Sequence, residues 1–251
     1  MEKILEVKEL KKTFYKNKIP FVAVDGISFD LKKGECLGLV GESGCGKSTT
    51  AKLITHLTVP DTGSVLLNGE ETLFWKGKKE RELYRSIQMV FQTPQDSFDP
   101  RRTLGDGIME SMRNQGIKKH RAKERTYELL EMVELSGEFA ARYPHEVSGG
   151  QCQRAAIARA LAPDPQLIIC DEVTSALDVT VQAQIVELLR KLQKEQGLSL
   201  LLICHDLALV QKLCDRVLVM YKGGIVEQGV PDEVIQNPQK EYTKILVDSV
   251  L

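Results

Sequence analysis

The sequence predicts an α/β fold built on a mostly parallel sheet. Two observations predict it. Apolar runs of strand length, at residues 36–40, 87–91, 167–171, 199–205 and 216–221, alternate with stretches of helical periodicity. One of those runs also passes straight through a glycine-rich stretch into a helix, the strand–loop–helix order of such sheets. With 251 residues, 42% of them hydrophobic and 27% charged, the chain has the composition of an ordinary globular protein and the length to bury a core.

In order along the chain, 5–10 reads as a short strand, followed by Lys11-Lys12-Thr13-Phe14-Tyr15, where an aromatic serves equally as a strand residue or as a platform for a ligand. Ile27, Phe29 and Leu31 alternate with Ser28, Asp30 and Lys32, the pattern of a half-buried strand. After the 36–40 strand, a helix is expected over 49–57, ended by Pro60-Asp61-Thr62-Gly63. A strand at 64–67 turns at Asn68-Gly69. Residues 75–81 are polar and basic and read as a solvated loop. From Thr93 the texture changes: a proline-bearing loop precedes helical patterns at 104–112 and 121–135, the latter with Ala122, Leu129, Leu130 and Val133 on one apolar face. This helical insert is expected to run from about 93 to 158. Strand–helix alternation then resumes, with a long amphipathic helix at 179–194, a helix at 206–213, a glycine turn at Gly223-Gly224, a strand at 225–228 and two short helices at the end.

Three stretches carry chemistry. Gly41-Glu42-Ser43-Gly44-Cys45-Gly46-Lys47-Ser48 lies between a buried strand and a helix, the setting of a phosphate-binding loop. Its glycines permit tight turns and close approach of a ligand. Its backbone N–H groups and the positive end of the following helix, beginning with Thr49, face the same place. Lys47 adds a charge for the outer phosphates of a nucleotide, and the Ser48 hydroxyl is a ligand for Mg²⁺. The second stretch is Leu167-Ile168-Ile169-Cys170-Asp171-Glu172, an apolar strand ending in two acids where a parallel sheet opens its ligand crevice. There Asp171 is placed to hold Mg²⁺ and Glu172 to polarise an attacking water as general base. The third, Val147-Ser148-Gly149-Gly150-Gln151, opens a helix. It is either a capped helix start or a second anion-binding surface that closes a nucleotide held by another subunit.

Composition excludes several classes. A net charge of −1 offers no basic footprint for nucleic acid. No apolar run approaches the roughly 20 residues needed to span a bilayer. The opening Met1-Glu2-Lys3-Ile4 lacks the apolar core of a signal peptide, so a cytosolic location is the expectation. Six scattered cysteines without C-x-x-C spacing argue against zinc and disulfides. Cys45, inside the glycine loop, is expected to be reachable by thiol reagents and protected by nucleotide.

Together these residues resemble the nucleotide-binding subunit of an ATP-binding-cassette (ABC) transporter, over nearly the whole chain and in the family's order. Gly41 to Ser48 resembles the Walker A motif, Gln92 the Q-loop glutamine, and Ser148-Gly149-Gly150-Gln151 the signature motif, with Val147 where leucine is commonest. Leu167 to Glu172 resembles Walker B with its catalytic glutamate, Ser175-Ala176-Leu177-Asp178 the D-loop, and His205 the switch histidine. Phe14 matches the aromatic that stacks on adenine, with Tyr15 as the alternative. Val173 stands where the family usually has proline.

The resemblance implies one ABC-type P-loop NTPase domain over 1–251: a mostly parallel core, an N-terminal antiparallel β part and an inserted helical subdomain. It implies ATP as ligand and Mg²⁺ held by Ser48, Gln92 and Asp171, with Glu172 and His205 catalytic. It further implies two ATPase subunits clamped head to tail, two membrane permeases, one of which docks on the helical insert, and an extracytoplasmic solute-binding protein. The expected location is then the cytoplasmic face of the membrane, with no nucleic-acid partner.

The run from Gln92-Thr93-Pro94 to Asp99-Pro100-Arg101, the run from Ser175 to Gln184, and Asn237-Pro238…Tyr242-Thr243 are similar to stretches of the oligopeptide, dipeptide and nickel importers. Asp99 replaces an asparagine, and Gln239 to Glu241 lack a histidine. The absence of a cysteine-bearing extension after Leu251 favours nickel or a metal chelate over peptide, and in that subfamily a heterodimer is favoured over a homodimer. The rivals are an exporter subunit, a cassette ATPase that moves no solute, and a P-loop kinase, which leaves Ser148 to Gln151 and His205 without a use.

Overall fold

Burial of both strand faces decides the architecture. The computed structural model describes residues 2–175 and 177–249. In β3 (Cys36–Val40), β7 (Leu167–Asp171), β8 (Ser199–Cys204) and β9 (Arg216–Tyr221), successive side chains enter two different cores in alternation. Leu37, Leu39, Ile169, Ile203 and Leu218 join one; Val40, Ile168, Cys170, Leu202 and Val219 join the other. With β6 (Ile87–Val90) and β10 (Gly224–Gly229) they form a six-stranded sheet, ordered β10-β9-β3-β8-β7-β6. Every pair is parallel except the β9–β10 hairpin.

The first core is closed by a four-stranded antiparallel sheet, ordered β2-β1-β4-β5, from β1 (Lys3–Lys16), β2 (Ile19–Lys32), β4 (Thr62–Leu67) and β5 (Glu70–Glu71). Ala51, Leu53 and Ile54 of α1 (Lys47–Ile54) pack into it. The second core is closed by helices. α6 (Val179–Gln196) contributes Ile185, Leu188, Leu189 and Leu192, and α7 (Leu207–Leu213) contributes Leu209 and Val210. The same apolar cluster continues without a break into α3 (Leu104–Asn114), α4 (Lys119–Met132) and α5 (Gly149–Leu161). Two short helices, α8 (Pro231–Gln236) and α9 (Glu241–Asp248), end the described chain. Among the described residues no helix is long and apolar enough to cross a membrane.

Two segments differ from expectation. Residues 75–81, read as a loop, lead into α2 (Lys78–Ser86), whose Leu83 is fully buried. The helix rests on good helix formers and a single core contact, so it carries no apolar period to be read. The first hairpin is also far longer than the 5–10 strand suggested. Its outer half exposes Tyr15, Ile19 and Phe21, and an element with no buried face shows no alternation.

One ion pair ties the two sheets together. Arg216, the first residue of β9, donates Nε to Glu35 at 2.7 Å and Nη2 to the Asp30 carbonyl of β2 at 2.6 Å. Glu35 is buried, and its other oxygen accepts the Lys32 N–H at 2.7 Å. Arg216→Met leaves that carboxylate without its partner. It is expected to cost about 2–3 kcal/mol in urea unfolding, below the range for a fully enclosed pair because Arg216 is partly open. Glu35→Gln/Arg216→Met together should recover much of the loss.

Candidate functional site

The carboxyl ends of adjacent parallel strands gather the predicted residues. β6 leads to Gln92, β7 ends at Asp171-Glu172, β8 leads to His205 and β3 leads to the glycine loop, in neighbouring positions across the sheet. This is where a parallel sheet presents its ligand crevice.

The loop's shape depends on two glycines. Gly41 has φ 152°, and a Cβ there would lie 2.2 Å from the Met220 carbonyl oxygen. Gly46 has φ 115°, and a Cβ there would lie 2.2 Å from the Ala23 carbonyl oxygen. No side chain fits at either position, so the backbone itself lines the cradle. Lys47 is buried, and its ammonium donates to the carbonyls of Gly41 at 2.7 Å and Glu42 at 2.9 Å. Glu42, Ser43 and Gly44 are exposed at the rim, and Thr49 is half-buried in the first turn of α1.

Cys45 corrects an expectation. It is 7% exposed, and burial pushes its thiol up against the opposing influence of Lys47. It is therefore not the accessible thiol that its place in the loop suggested.

Ser48 Oγ donates to Asp171 Oδ1 at 3.0 Å, so two oxygen donors suited to a hard divalent cation already meet. Gln92 donates its amide to Ser175 Oγ at 3.1 Å, which leaves its carbonyl oxygen as the end able to reach a cation. Ser175 Oγ in turn donates to the Glu172 carbonyl at 3.0 Å. Glu172 has φ 51°, an uncommon value for a residue with a side chain, and its N–H is held by the Ile203 carbonyl at 2.9 Å. Glu172, Ser175, Gln182, His205 and Asp206 line one cleft of about 110 Å³. Asp206 caps α7 and accepts from Gln182 at 3.2 Å, fixing the wall beside His205.

Ser148 to Gln151 lie elsewhere. Ser148 and Gln151 form a reciprocal capping box at the start of α5, with Gln151 Oε1 accepting the Ser148 N–H at 2.9 Å. Ser148 and Gly149 are exposed. Gly150 packs so closely on α6 that a Cβ would lie 2.4 Å from Val181. Asp178 of the expected D-loop caps α6, accepting the Val181 N–H at 3.0 Å; Ala176 of that loop lies outside the described residues.

A second cleft, of about 250 Å³, is lined by Phe21, Val22, residues 42–45 and Tyr221 to Gly223. Phe14 is not among its walls; it pairs directly across the hairpin with Phe21, on the same face. The sequence reading missed Phe21, Val22 and Tyr221. No local pattern marks them, because a long hairpin and a strand end brought from about 200 residues away put them there.

A glycine cradle beside buried oxygen donors at the ends of a parallel sheet defines a phosphate-loop nucleotide triphosphatase. Comparison with known proteins makes the class specific. The ABC transporter family model matches residues 24–175. The oligopeptide transport ATP-binding protein OppF of Bacillus subtilis (strain 168) is 50% identical over 99% of this chain and 83% of its own length. The glutathione import ATP-binding protein GsiA of Pectobacterium atrosepticum is 47% identical over 91% of this chain and 37% of its own. The ATP-binding cassette MJ0796, solved as a dimer in a post-hydrolysis state bound to ADP and Pi, superposes with a TM-score of 0.82 at 28% identity, covering 91% of this chain and 99% of that one. The chain belongs to the ABC transporter family, and its activity is ATP hydrolysis.

Burial raises the Asp171 carboxyl above its ordinary value; the Ser48 hydroxyl opposes this and the nearby Glu172 charge adds to it. A carboxyl raised on folding favours the folded state below its unfolded value, and that contribution is lost as pH rises through the folded value. At pH 7 the ionised group therefore works against folding. Asp171→Asn keeps an acceptor oxygen for Ser48 and removes the charge. It is expected to raise the Tm of the nucleotide-free protein by a few degrees at pH 7, with the difference shrinking toward pH 4, by scanning calorimetry.

Proposed function

We propose that this chain is one of two ATPase subunits that power an importer from the cytoplasmic face of the membrane, with a peptide as cargo. One observation carries the half-site part of this reading. Gln92, Asp171, Glu172, His205 and the phosphate loop converge at the strand ends, whereas Ser148 and Gly149 are exposed at the start of another helix, α5. A site complete in one chain has no use for a second anion-binding helix start; a site closed by a partner does.

On this reading the N–H groups of Gly41 to Thr49 and the Lys47 ammonium bind the phosphates, and the buried Lys47 exchanges its loop carbonyls for phosphate oxygens. Ser48, Asp171 and Gln92 would hold Mg²⁺, which would supply charge that neutralises the bound phosphates. Phe14 stacks on the adenine, with Phe21 beside it. Glu172 accepts the proton of the attacking water, and His205, in the same cleft, faces the outer phosphate. Ser148, Gly149, Gly150 and Gln151 of the opposite subunit cap that phosphate. Gly150 rests on Val181 at the start of α6, so the capping surface packs directly against the helix that the D-loop leads into.

The partners follow from the same reading: a second, related ATPase, two permeases and a solute-binding protein. The helical face of α3 to α5 receives the permease. The sequence tail favoured nickel or a metal chelate; the names of the relatives, oligopeptide and glutathione, support a peptide instead.

Three measurements test these assignments. Glu172→Gln is expected to bind ATP normally, to lose turnover by about 100-fold or more, and to accumulate as a dimer with ATP in light scattering. Undiminished turnover removes Glu172 as the base. Lys47→Ala should weaken nucleotide binding at least about tenfold, since it deletes a charge–phosphate contact; unaltered affinity counts against the loop assignment. Affinity purification from detergent-solubilised membranes should recover a second ATPase with two permeases, and uptake by that complex should follow labelled peptide and not nickel.

A further inference from the structure

The C-terminal helix reaches back to the phosphate loop. Its start is seated by Glu227 of β10, which accepts the N–H groups of Gln239 and Lys240 at 2.8 and 3.0 Å. Tyr242, in its first turn, stacks on Tyr221 with ring centroids 4.0 Å apart and planes inclined by 27°. The Tyr242 hydroxyl accepts the Glu42 backbone N–H at 3.0 Å. The peptide unit that supplies this N–H also supplies the Gly41 carbonyl, which takes the Lys47 ammonium at 2.7 Å. One peptide is thus gripped at both ends, by Lys47 on its oxygen and by Tyr242 on its nitrogen.

That peptide needs a grip. Gly41 is the residue in the loop's first turn whose backbone is least restricted by its own chemistry. The Met220 carbonyl, one residue before Tyr221, already blocks one side of it. The tyrosine hydroxyl supplies the acceptor on the other. Without it, the Gly41–Glu42 peptide is held only through its oxygen, and the carbonyl that takes Lys47 is less firmly fixed. A loop with several arrangements must be ordered when nucleotide binds, which lowers affinity.

Docking of the helix does not require the hydroxyl. Leu246 and Val247 of α9 are buried in the helical-side core and hold the helix by apolar contact, and the Tyr242 ring adds its stack. Among the described residues, the hydroxyl is the only atom of this helix hydrogen-bonded to the phosphate loop.

We propose that Tyr242 is a positioning residue of the nucleotide site, its hydroxyl holding the Gly41–Glu42 peptide so that Lys47 and the loop are pre-arranged for phosphate. This rests on the reading of Gly41 to Ser48 as the phosphate loop. Residues near the C-terminus thereby set nucleotide affinity without touching nucleotide.

Tyr242→Phe in the full chain tests it, because the ring stack and the apolar docking remain. The measurements are MgADP affinity by calorimetry, KM and kcat for ATP, and the Tm of the nucleotide-free protein. The expected result is a loss of MgADP affinity and a rise in KM of about three- to tenfold, the worth of one backbone hydrogen bond, with kcat within about twofold and Tm lowered by no more than about 4 °C. Tyr242→Leu, which also removes the stack, should weaken affinity further. Wild-type affinity and KM in Tyr242→Phe would overturn the proposal, whether or not Tm or kcat falls. Lys47→Ala, measured alongside, separates the two ideas: if it too leaves affinity unchanged, the phosphate-loop reading fails, whereas weakened binding there with wild-type binding in Tyr242→Phe rejects only the tyrosine's role.

Discussion

Everything in the site depends on β3 being buried on both faces. A strand in that position has no side chain to spare for chemistry, so it delivers function only at its end. There the chain must turn at once, under the Met220 and Ala23 carbonyls, which leave room for backbone alone at Gly41 and Gly46. The same double burial in β7 and β8 explains why their polar residues begin where the apolar run stops. The sheet order then sets these ends side by side, and the crevice is a consequence of topology before any side chain is chosen.

The electrostatics of the site are those of a place suited to receive charge. Lys47 is buried on backbone carbonyls, and Asp171 is buried against a single hydroxyl. Neither arrangement is what a chain selected only for stability would keep. Burial without full compensation is costly, and on the proposed reading a phosphate and its cation would supply what each lacks: anionic oxygens for the lysine, positive charge for the carboxylate. Stability is spent where binding later returns it.

How much was legible follows from range. The glycine loop, the acid pair after β7, and the strand–helix alternation each lie within ten or so residues, where spacing speaks directly. The sheet and the helices were read this way, with boundaries off by a few residues at α1 and α4. α2 was not legible, because Leu83 alone makes its core contact and a charged helix looks like a loop. Phe21, Tyr221 and Tyr242 were not legible as neighbours of the loop, because the contacts join residues far apart in the chain. Cys45 was misjudged because sequence gives position in a loop but not depth beneath it.

The six thiols acquire a use from their placement. Each is buried and free. They are spread over distinct parts of the architecture: Cys45 under the loop, Cys152 in α5, Cys170 and Cys204 inside adjacent strands, and Cys36 and Cys214 in contact at 3.6 Å near the start of β3. A thiol reagent meets none of them until the surrounding segment opens. The order in which they react is therefore a map of local opening, written by the protein itself, with the helical part, the loop and the central sheet each reporting its own free energy of exposure.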